Sequence, residues 1–403
     1  MRSFATLNVE SVLERIHSVV GPSSTDSPIT LHEPDFRGTQ AWTYVKDCLD
    51  TGWVSTAGSW VSRFEKELCN ITGAKHAVVV SNGTVALRLA LHVVGVGSND
   101  EVLLPPLSFV ATANSVAHLG AVPHFVDVEK NTLGMCPIAL AEQLEAISEY
   151  RQGTLVNRET GRRIAAVLPV HVFGHPSQVD QLREVADSWG LPLVEDAAEA
   201  LCSRRGVTHC GLFGSVGTLS FNGNKLITTG GGGALVTNDA ALADRARHLS
   251  TTAKMPHHWL FTHDAVGWND RMPNINAALG VAQLEVLDRR LEAKRLLANR
   301  YMEAFVDLEG VELLDEPNGC CSNFWLVTLR FTADDPLAAQ ALRLQLLERS
   351  HKTGLFLRPI WTPLHQLPMY ESCSSGSLSV AENQALRLLN LPSSPQLLEG
   401  FLS

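Results

Sequence analysis

Seven short apolar segments between residues 76 and 237 constrain the fold of this chain more than any other feature. They read HAVVV, EVLLP, VPHFVDV, AAVLPV, LPLVEDA, GTLSF and GALVT, and most are followed by a turn and a helical pattern such as TVALRLALHVV. Short apolar runs that alternate with amphipathic helices are typical of strands buried on both faces. The pattern predicts an α/β fold in which helices cover a mainly parallel, seven-stranded sheet.

The remaining sequence divides the chain into three parts. Residues 1–74, where helical patterns alternate with a Gly- and Ser-containing loop, form a predicted N-terminal segment. Residues 75–285 form the predicted large domain. A long helical pattern over residues 274–305 leads into residues 286–403, which are predicted to form a smaller α+β domain.

Composition narrows the possible partners. The formal charge is -10 and no long basic run occurs, which argues against nucleic acid or an anionic membrane as the main partner. Glu10 and Glu14 interrupt the first twenty residues, and no stretch approaches the ~20 apolar residues of a membrane span. We therefore expect a cytoplasmic protein with a small-molecule ligand. The eight cysteines include no CxxC pair, so we expect reduced thiols.

Polar residues follow two predicted strands at the sheet edge where ligands bind in open α/β folds. Residues 81–84 (SNGT) precede a helix whose free N–H groups and dipole could hold a phosphate, although an N-cap turn without a ligand is the alternative. Glu195 and Asp196 end the strand LPLVED. A carboxylate there could cap the next helix, or it could hold the protonated ring nitrogen of a pyridine cofactor.

Lys225 stands in the segment LSFNGNKLITTGGGG, with Ser220 before it and four glycines after it. Most lysines are solvated surface groups, but no acidic residue between Ser220 and Gly233 offers an easy salt bridge. A desolvated lysine gives up its proton more readily and can attack a carbonyl to form a Schiff base. A dinucleotide-binding loop is disfavoured because these glycines run into a strand rather than open a helix.

An aromatic residue and two histidines complete the candidates. Phe109 follows a strand and a double proline; it could be a core residue or stack on a planar cofactor. A phosphate cradle, an aromatic ring, an acid and a lysine thus follow successive strands, and pyridoxal phosphate requires these four contacts. His171 and His175 lack a third ligand at suitable spacing, so no metal site is expected.

The motifs SNGTVAL, SFVATANSV, VEDAAEA, SFNGNKLITTGGGG and GWNDRMPNINAALGVAQLE resemble, in order and spacing, the DegT/DnrJ/EryC1/StrS family of nucleotide-sugar aminotransferases. The resemblance runs from LHEPDF to LNLPSS. It implies a fold type I enzyme that depends on pyridoxal phosphate (PLP), with residues 75–285 as the PLP-binding domain and a substrate-facing loop in residues 1–74. TGWVSTAG, TTAKMPHHW and RPIWTPLHQLPMY look most like the LegC-type branch, which aminates C4 of 4-keto-6-deoxy sugar nucleotides in bacillosamine or legionaminic acid pathways.

The resemblance also implies a role for each matching residue. Lys225 would form the Schiff base and Asp196 would hold the ring nitrogen. The other matches are Gly83, Thr84 and Ser220 as phosphate ligands, Phe109 as the stacking aromatic, Glu199 beside the cofactor's hydroxyl face, where relatives often carry Gln or His, and Asn269 as an asparagine that reaches the phosphate of the neighbouring subunit's cofactor. A homodimer with shared active sites is therefore expected.

Substrate contacts are less specific. Trp53, Arg358, Trp361 and His365 are expected to line the sugar-nucleotide groove, with Arg358 on the diphosphate, although packing explains the two tryptophans equally well. Asn222 stands where many relatives have His, so contacts on that side are expected to differ. The expected donor is L-glutamate and the expected acceptor UDP-2-acetamido-2,6-dideoxy-hexos-4-ulose. Amination at C3 of a 3-keto sugar nucleotide and a non-catalytic regulatory role are the alternatives.

Overall fold

The computed structural model describes residues 7–398. The predicted N-terminal segment and C-terminal domain extend to residues 1–6 and 399–403, which lie outside the described residues. The helices are α1 (Val9–Val20), α2 (Ala41–Thr51), α3 (Ser59–Thr72), α4 (Gly83–Val93), α5 (Ala111–Ala117), α6 (Pro137–Ile147), α7 (Val179–Ser188), α8 (Ala240–Ser250), α9 (Asn274–Leu284), α10 (Leu287–Phe305), α11 (Pro336–Lys352) and α12 (Ser379–Arg387).

The strands are β1 (His76–Val80), β2 (Glu101–Leu104), β3 (Val122–Phe125), β4 (Ser148–Arg151), β5 (Thr154–Asn157), β6 (Ile164–Val167), β7 (Val194–Asp196), β8 (Arg204–Arg205), β9 (Thr208–His209), β10 (Val216–Ser220), β11 (Gly233–Thr237), β12 (Val311–Leu313), β13 (Cys320–Cys321), β14 (Thr328–Phe331), β15 (Arg358–Pro359) and β16 (Leu388–Asn390). Short 3-10 helices occur at Val172–Gly174, Leu364–Gln366 and Pro395–Leu397.

The central sheet contains the seven predicted strands in the order β1-β11-β10-β7-β6-β2-β3. Neighbours from β10 to β3 are parallel, and a parallel bridge between Val167 and Leu193 joins β6 to β7. Strand β11 runs antiparallel to both β1 and β10. The mainly parallel α/β sheet is thus confirmed. The exception arises because β10 and β11 are joined by a loop, without a crossover helix, and such a connection returns the chain in the opposite direction.

Helices cover both faces of this sheet. Val78 and Val80 of β1 face a core shared with α4, α5 and α8, whereas Ala77 and Val79 face a second core shared with α3 and α9. Successive side chains of a strand point to opposite faces, so this division explains why the strand is apolar throughout. Helices α6 and α7 cover the far end of the sheet with a third core around Leu140 and Leu182.

The C-terminal part forms an antiparallel sheet in the order β12-β14-β16-β15 with helices α10, α11 and α12. Its core also contains Val12 and Ile16 of α1, while α2 and α3 pack on the large domain. The N-terminal segment therefore packs on both parts of the protein, with α1 on the C-terminal part and α2 and α3 on the large domain. The predicted long helix is two helices, because Val286 leaves the helical conformation (φ -114, ψ 13) between α9 and α10. The predicted domain boundaries themselves stay a proposal.

Candidate active site

A cavity of about 290 Å³ lies where β1, β2, β7 and β10 end at one edge of the central sheet. This volume is near the lower end of the range for small-molecule sites, about 300–1,000 Å³. Ten of the residues singled out in the sequence line this cavity: Gly83, Thr84, Phe109, Asp196, Glu199, Ser220, Asn222, Lys225, Arg358 and Trp361. Residues from distant parts of the sequence, from Gly83 to Trp361, therefore meet at one site.

The first wall of the cavity is the start of α4. Asn82 is its N-cap, and its side chain accepts a hydrogen bond of 2.9 Å from the Val85 N–H. The N–H groups of Gly83 and Thr84 precede the first intrahelical hydrogen bonds and point out of the helix end. Ser220 packs against this turn so closely that a Cβ on Gly83 would come within 2.9 Å of Ser220 Cβ. The N–H groups at the start of α4 and the hydroxyl-bearing residues Thr84 and Ser220 therefore line the same cavity, and such groups can bind a phosphate.

A buried carboxylate forms the second wall. Asp196 Oδ2 accepts a hydrogen bond from the Thr112 hydroxyl (2.8 Å), and Oδ1 accepts one from the Ala198 N–H (3.2 Å). Burial raises the pKa of Asp196, against the effect of these hydrogen bonds and of the Lys225 charge. Within residues 7–398, no basic side chain forms an ion pair with Asp196. A carboxylate of this kind suits a cationic group of a ligand, such as a protonated ring nitrogen.

Glu195, the other acid of this strand, has a structural role. It accepts hydrogen bonds of 2.7 Å from the backbone N–H groups of Gly211, Phe213 and Gly214. It also accepts one of 3.0 Å from His171 Nε2, which carries the ring proton because His171 Nδ1 accepts the Ser177 N–H. Of the two acids, Asp196 lines the cavity and Glu195 does not.

His175 lies away from this network. Its ring packs edge-on against Phe324, with centroids 5.3 Å apart, and burial lowers its pKa to about 4. The part of the chain that the structure describes contains no group of three or more His, Cys, Asp or Glu side chains arranged for a metal ion.

Lys225 follows β10 and reaches into the cavity with 13% of its side chain exposed. Its Nζ lies 3.3 Å from Glu199 Oε1 and 4.0 Å from the centroid of the Trp325 ring. The Trp325 indole N–H donates a hydrogen bond of 2.7 Å to the carbonyl of Asn224, the residue before the lysine. Lys225 is therefore fixed between an acid and an aromatic face, and both come from distant parts of the sequence.

The outer wall combines aromatic rings and a guanidinium. Phe109 keeps 52% of its surface exposed at the cavity, so its ring is free to stack on a planar ligand. Arg358 forms one long hydrogen bond, 3.4 Å from Nη2 to Asn390 Oδ1, and no ion pair with a described carboxylate. Burial lowers the pKa of Arg358, and the Glu199 charge opposes this. Trp361 lies beside Arg358 and stacks on Phe173, with centroids 5.0 Å apart.

Three other candidates lie outside the cavity of this single chain. Trp53 is 59% exposed, and its carbonyl accepts the Asn274 side-chain N–H. His365 Nε2 lies 3.0 Å from Glu382 Oε1. Asn269 is exposed and pairs with Thr251 through a backbone bridge.

Sequence reasoning missed four polar or aromatic residues of the site. The cavity is also lined by Ser108, Thr112, Asn224 and Trp325. Thr112 and Ser108 belong to the segment SFVATANSV, whose polar residues flank Phe109, so a closer inspection of that segment could have found them. Trp325 lies just before β14 in the C-terminal part of the chain, and no local signal connects it to Lys225.

The residues present fit pyridoxal phosphate. The start of α4 suits its phosphate, Asp196 suits its ring nitrogen, the Phe109 ring is free to cover its ring face, and the Lys225 amine suits its aldehyde. The uncompensated Asp196 carboxylate is the most specific of these, because burial of an anion without a cationic partner is costly unless a ligand supplies one.

Among residues 7–398, no helix combines the length and the apolar character needed to cross a bilayer.

Comparisons with known proteins identify the family of the chain. The model of the DegT/DnrJ/EryC1/StrS aminotransferase family matches residues 37–400. The chain is 36% identical over 370 residues to the GDP-perosamine synthase of Escherichia coli O157:H7, covering 92% of this chain and 94% of that protein.

A second relative is the dTDP-4-dehydro-2,3,6-trideoxy-D-glucose 4-aminotransferase of Saccharopolyspora spinosa, with 32% identity over 393 residues and 92% of each chain covered. Among solved structures, the aminotransferase TlmJ of Streptoalloteichus hindustanus superposes with a TM-score of 0.82 at 29% identity, covering 93% of this chain and 96% of that one. The chain therefore belongs to the DegT/DnrJ/EryC1/StrS aminotransferase family, and it is a pyridoxal phosphate-dependent transaminase of fold type I.

Proposed function

We propose that this chain transfers the amino group of L-glutamate to the 4-keto group of a nucleotide-linked 4-keto-6-deoxy sugar. The product would be a 4-amino sugar nucleotide for bacterial glycan biosynthesis. The observation that carries the proposal is that Lys225 and the uncompensated carboxylate of Asp196 line one cavity with the open start of α4. A binding protein without catalysis would not need this lysine.

Bound pyridoxal phosphate supplies an aldehyde carbon for the exchange of amino groups and a ring that accepts electrons. Lys225 would hold the cofactor covalently and, once displaced by the donor, would accept and return at Nζ the proton of the donor's α-carbon. Asp196 would keep the ring nitrogen protonated. Gly83, Thr84 and Ser220, which line the cavity, would hold the phosphate. Glu199 would lie beside the cofactor's hydroxyl face.

Because one lysine serves both half-reactions, glutamate and the sugar nucleotide must use the site in turn. The half-buried guanidinium of Arg358 forms no ion pair within the described residues and suits the diphosphate of the sugar nucleotide. Phe109, Asn222 and Trp361 line the same opening. Trp53 and His365 stay weaker candidates, because they lie outside the cavity of the single chain.

The proposed position of amination and the proposed nucleotide rest on different observations. The name of the S. spinosa relative gives amination at C4 of its own substrate, and the segments that resemble the LegC-type branch favour the same carbon. The two curated relatives act on GDP- and dTDP-linked sugars by their names, whereas our proposal is a UDP-linked N-acetylated sugar, as in bacillosamine or legionaminic acid pathways.

We further propose a cytoplasmic homodimer with shared active sites. Asn269 is exposed and absent from the cavity of its own chain, which is compatible with a contact to the partner subunit's cofactor phosphate. Sedimentation would measure the oligomeric state. Asn269→Ala should weaken cofactor binding if the contact crosses the dimer, and unchanged cofactor affinity would contradict this role.

The reaction is tested by incubating the PLP-loaded protein with glutamate and UDP-linked 4-keto or 3-keto sugars. The new amine is then located in the product by NMR. We expect amination of the 4-keto sugar at C4 and no product with the Lys225→Ala variant. An amine at C3 would contradict the proposed regiochemistry, and turnover by Lys225→Ala would contradict the role of the lysine.

A further inference from the structure

The lysine of the active site lies beside a carboxylate that can accept its proton. Lys225 Nζ lies 3.3 Å from Glu199 Oε1, with 13% and 7% of the two side chains exposed. The amine also lies 4.0 Å from the centroid of the Trp325 ring, which attracts a cation but accepts a hydrogen bond only weakly. Among residues 7–398, only Glu199 forms a hydrogen bond with this nitrogen.

Glu199 is held in place by contacts that leave Oε1 directed at the lysine. Its Oε2 accepts a hydrogen bond of 2.9 Å from the Phe173 N–H, and its backbone carbonyl accepts one of 2.9 Å from Asn323 Nδ2. Phe173 adopts a positive φ of 56°, an uncommon conformation for a bulky residue and one that the surrounding structure must maintain. The carboxylate is therefore positioned independently of the lysine.

Other titratable groups act on this pair. Asp196 and Arg358, which carry opposite charges, act on Glu199, and His32 acts on Lys225. Within residues 7–398, none of them forms an ion pair with Glu199 or Lys225. Burial raises the pKa of Glu199, while Lys225 and the Phe173 N–H oppose the shift. In such surroundings the desolvation of two charges offsets much of their attraction, so the neutral pair is accessible.

We propose that Glu199 is a further catalytic residue, which accepts the proton that must leave Lys225 before the lysine can attack a carbonyl or remove a proton. One proton moves from Nζ to Oε1, so that an ammonium and a carboxylate become an amine and a carboxylic acid. No other bond changes. The inference rests on the proposed function, because it assigns Lys225 the reacting amine.

The proposal predicts an unusual pH dependence. While the pair holds one proton, the fraction present as free amine depends on the balance between the two sites and not on pH. In Glu199→Gln, the lysine can lose its proton only to water. The free-amine fraction, and with it the rate of attack on a carbonyl, then rises about tenfold per pH unit until the lysine is deprotonated.

The rate is measured by mixing apoprotein with pyridoxal phosphate and following the visible absorbance of the Schiff base from about pH 6 to pH 9. Dividing wild-type rates by variant rates removes the titration of the cofactor's own groups. We expect this ratio to fall about tenfold per pH unit in part of the range. The matched control is Glu348→Gln, which removes the partner of the exposed Lys352 at 2.9 Å and should leave the profile unchanged.

Glu199→Asp provides a second test, because it keeps the charge but shortens the side chain. We expect it to follow the profile of Glu199→Gln. Parallel profiles for the wild type and both variants would overturn the role of Glu199 and leave the proposed function intact. Failure of the wild-type protein to attach pyridoxal phosphate at Lys225, mapped after borohydride reduction, would overturn the proposed function and this step together.

Discussion

The charge of Asp196 can be removed almost without changing its shape. In Asp196→Asn, the side-chain oxygen can still accept the Ala198 N–H, and the new NH₂ group can donate to Thr112 Oγ1. The Thr112 hydroxyl can then turn its own proton to Ser108 Oγ, 2.6 Å away. The variant should therefore fold normally, and only the anion opposite the cofactor's ring nitrogen is lost.

The loss can be estimated from the electrostatics of a buried pair. Two unit charges about 4 Å apart attract each other by about 4 kcal/mol at an effective dielectric constant of about 20. If the protonated ring nitrogen draws this stabilisation during proton transfer, its loss slows turnover by about 10³-fold, since each 1.36 kcal/mol is about tenfold. The apoprotein should not lose stability, because Asp196 forms no ion pair within the described residues and burial already raises its pKa.

Turnover of glutamate with the sugar nucleotide and the melting temperature of the apoprotein give the two measurements. We expect about 10³-fold slower turnover and a melting temperature within about 2 °C of the wild type. Turnover within about tenfold of the wild type would refute the electrostatic role. A large loss of apoprotein stability would show instead that Asp196 is mainly structural.

Three further predictions follow from the geometry. In Gly233→Ala, the new Cβ would lie 2.5 Å from backbone atoms of Asn82, the N-cap of α4, so a titration with pyridoxal phosphate should show an affinity weakened by more than about tenfold. The control Gly223→Ala places its Cβ in open space and should bind the cofactor normally. The pKa of His175 is about 4 in the folded protein and about 6.5 in the unfolded chain, so its contribution of about 3 kcal/mol to the free energy of unfolding is complete above pH ~6.5 and is lost as pH falls towards ~4. In His175→Gln, the melting temperature should therefore fall less on acidification than in the wild type. The same fall in both proteins would contradict this role of His175. Trp325→Phe loses the hydrogen bond to the Asn224 carbonyl, so its free energy of unfolding, measured by denaturation, should fall by about 1 kcal/mol. The variant keeps an aromatic face beside Lys225 and should still attach the cofactor. An unchanged free energy of unfolding would contradict the importance of this hydrogen bond.

The local sequence predicts the sheet because strand burial and turn chemistry are local properties. All seven strands were identified from apolar runs, and helix α4 from periodicity. The antiparallel direction of β11 was not predicted, since it depends on how the Lys225 loop returns the chain. The break between α9 and α10 was also missed, because the helical pattern continues through Val286.

The site was predictable where a residue directly follows a strand. Asp196 and Ser220 stand at strand ends, and Gly83 opens the helix after β1, so the fold alone brings them to one edge. The surroundings of Lys225 were not predictable in this way. No acid lies near it between Ser220 and Gly233, yet Glu199 reaches it across 26 residues and Trp325 across 100. Such contacts depend on packing between elements, which periodicity does not encode.

The covalent bond between Lys225 and pyridoxal phosphate is the most direct test of the account. The purified protein should be loaded with the cofactor, reduced with borohydride, digested and analysed by mass spectrometry. We expect one modified peptide, with the added mass of the reduced cofactor on Lys225, and no such peptide from Lys225→Ala. Modification of a different lysine, or none in the wild-type protein, would contradict the assignment of this cavity as the active site.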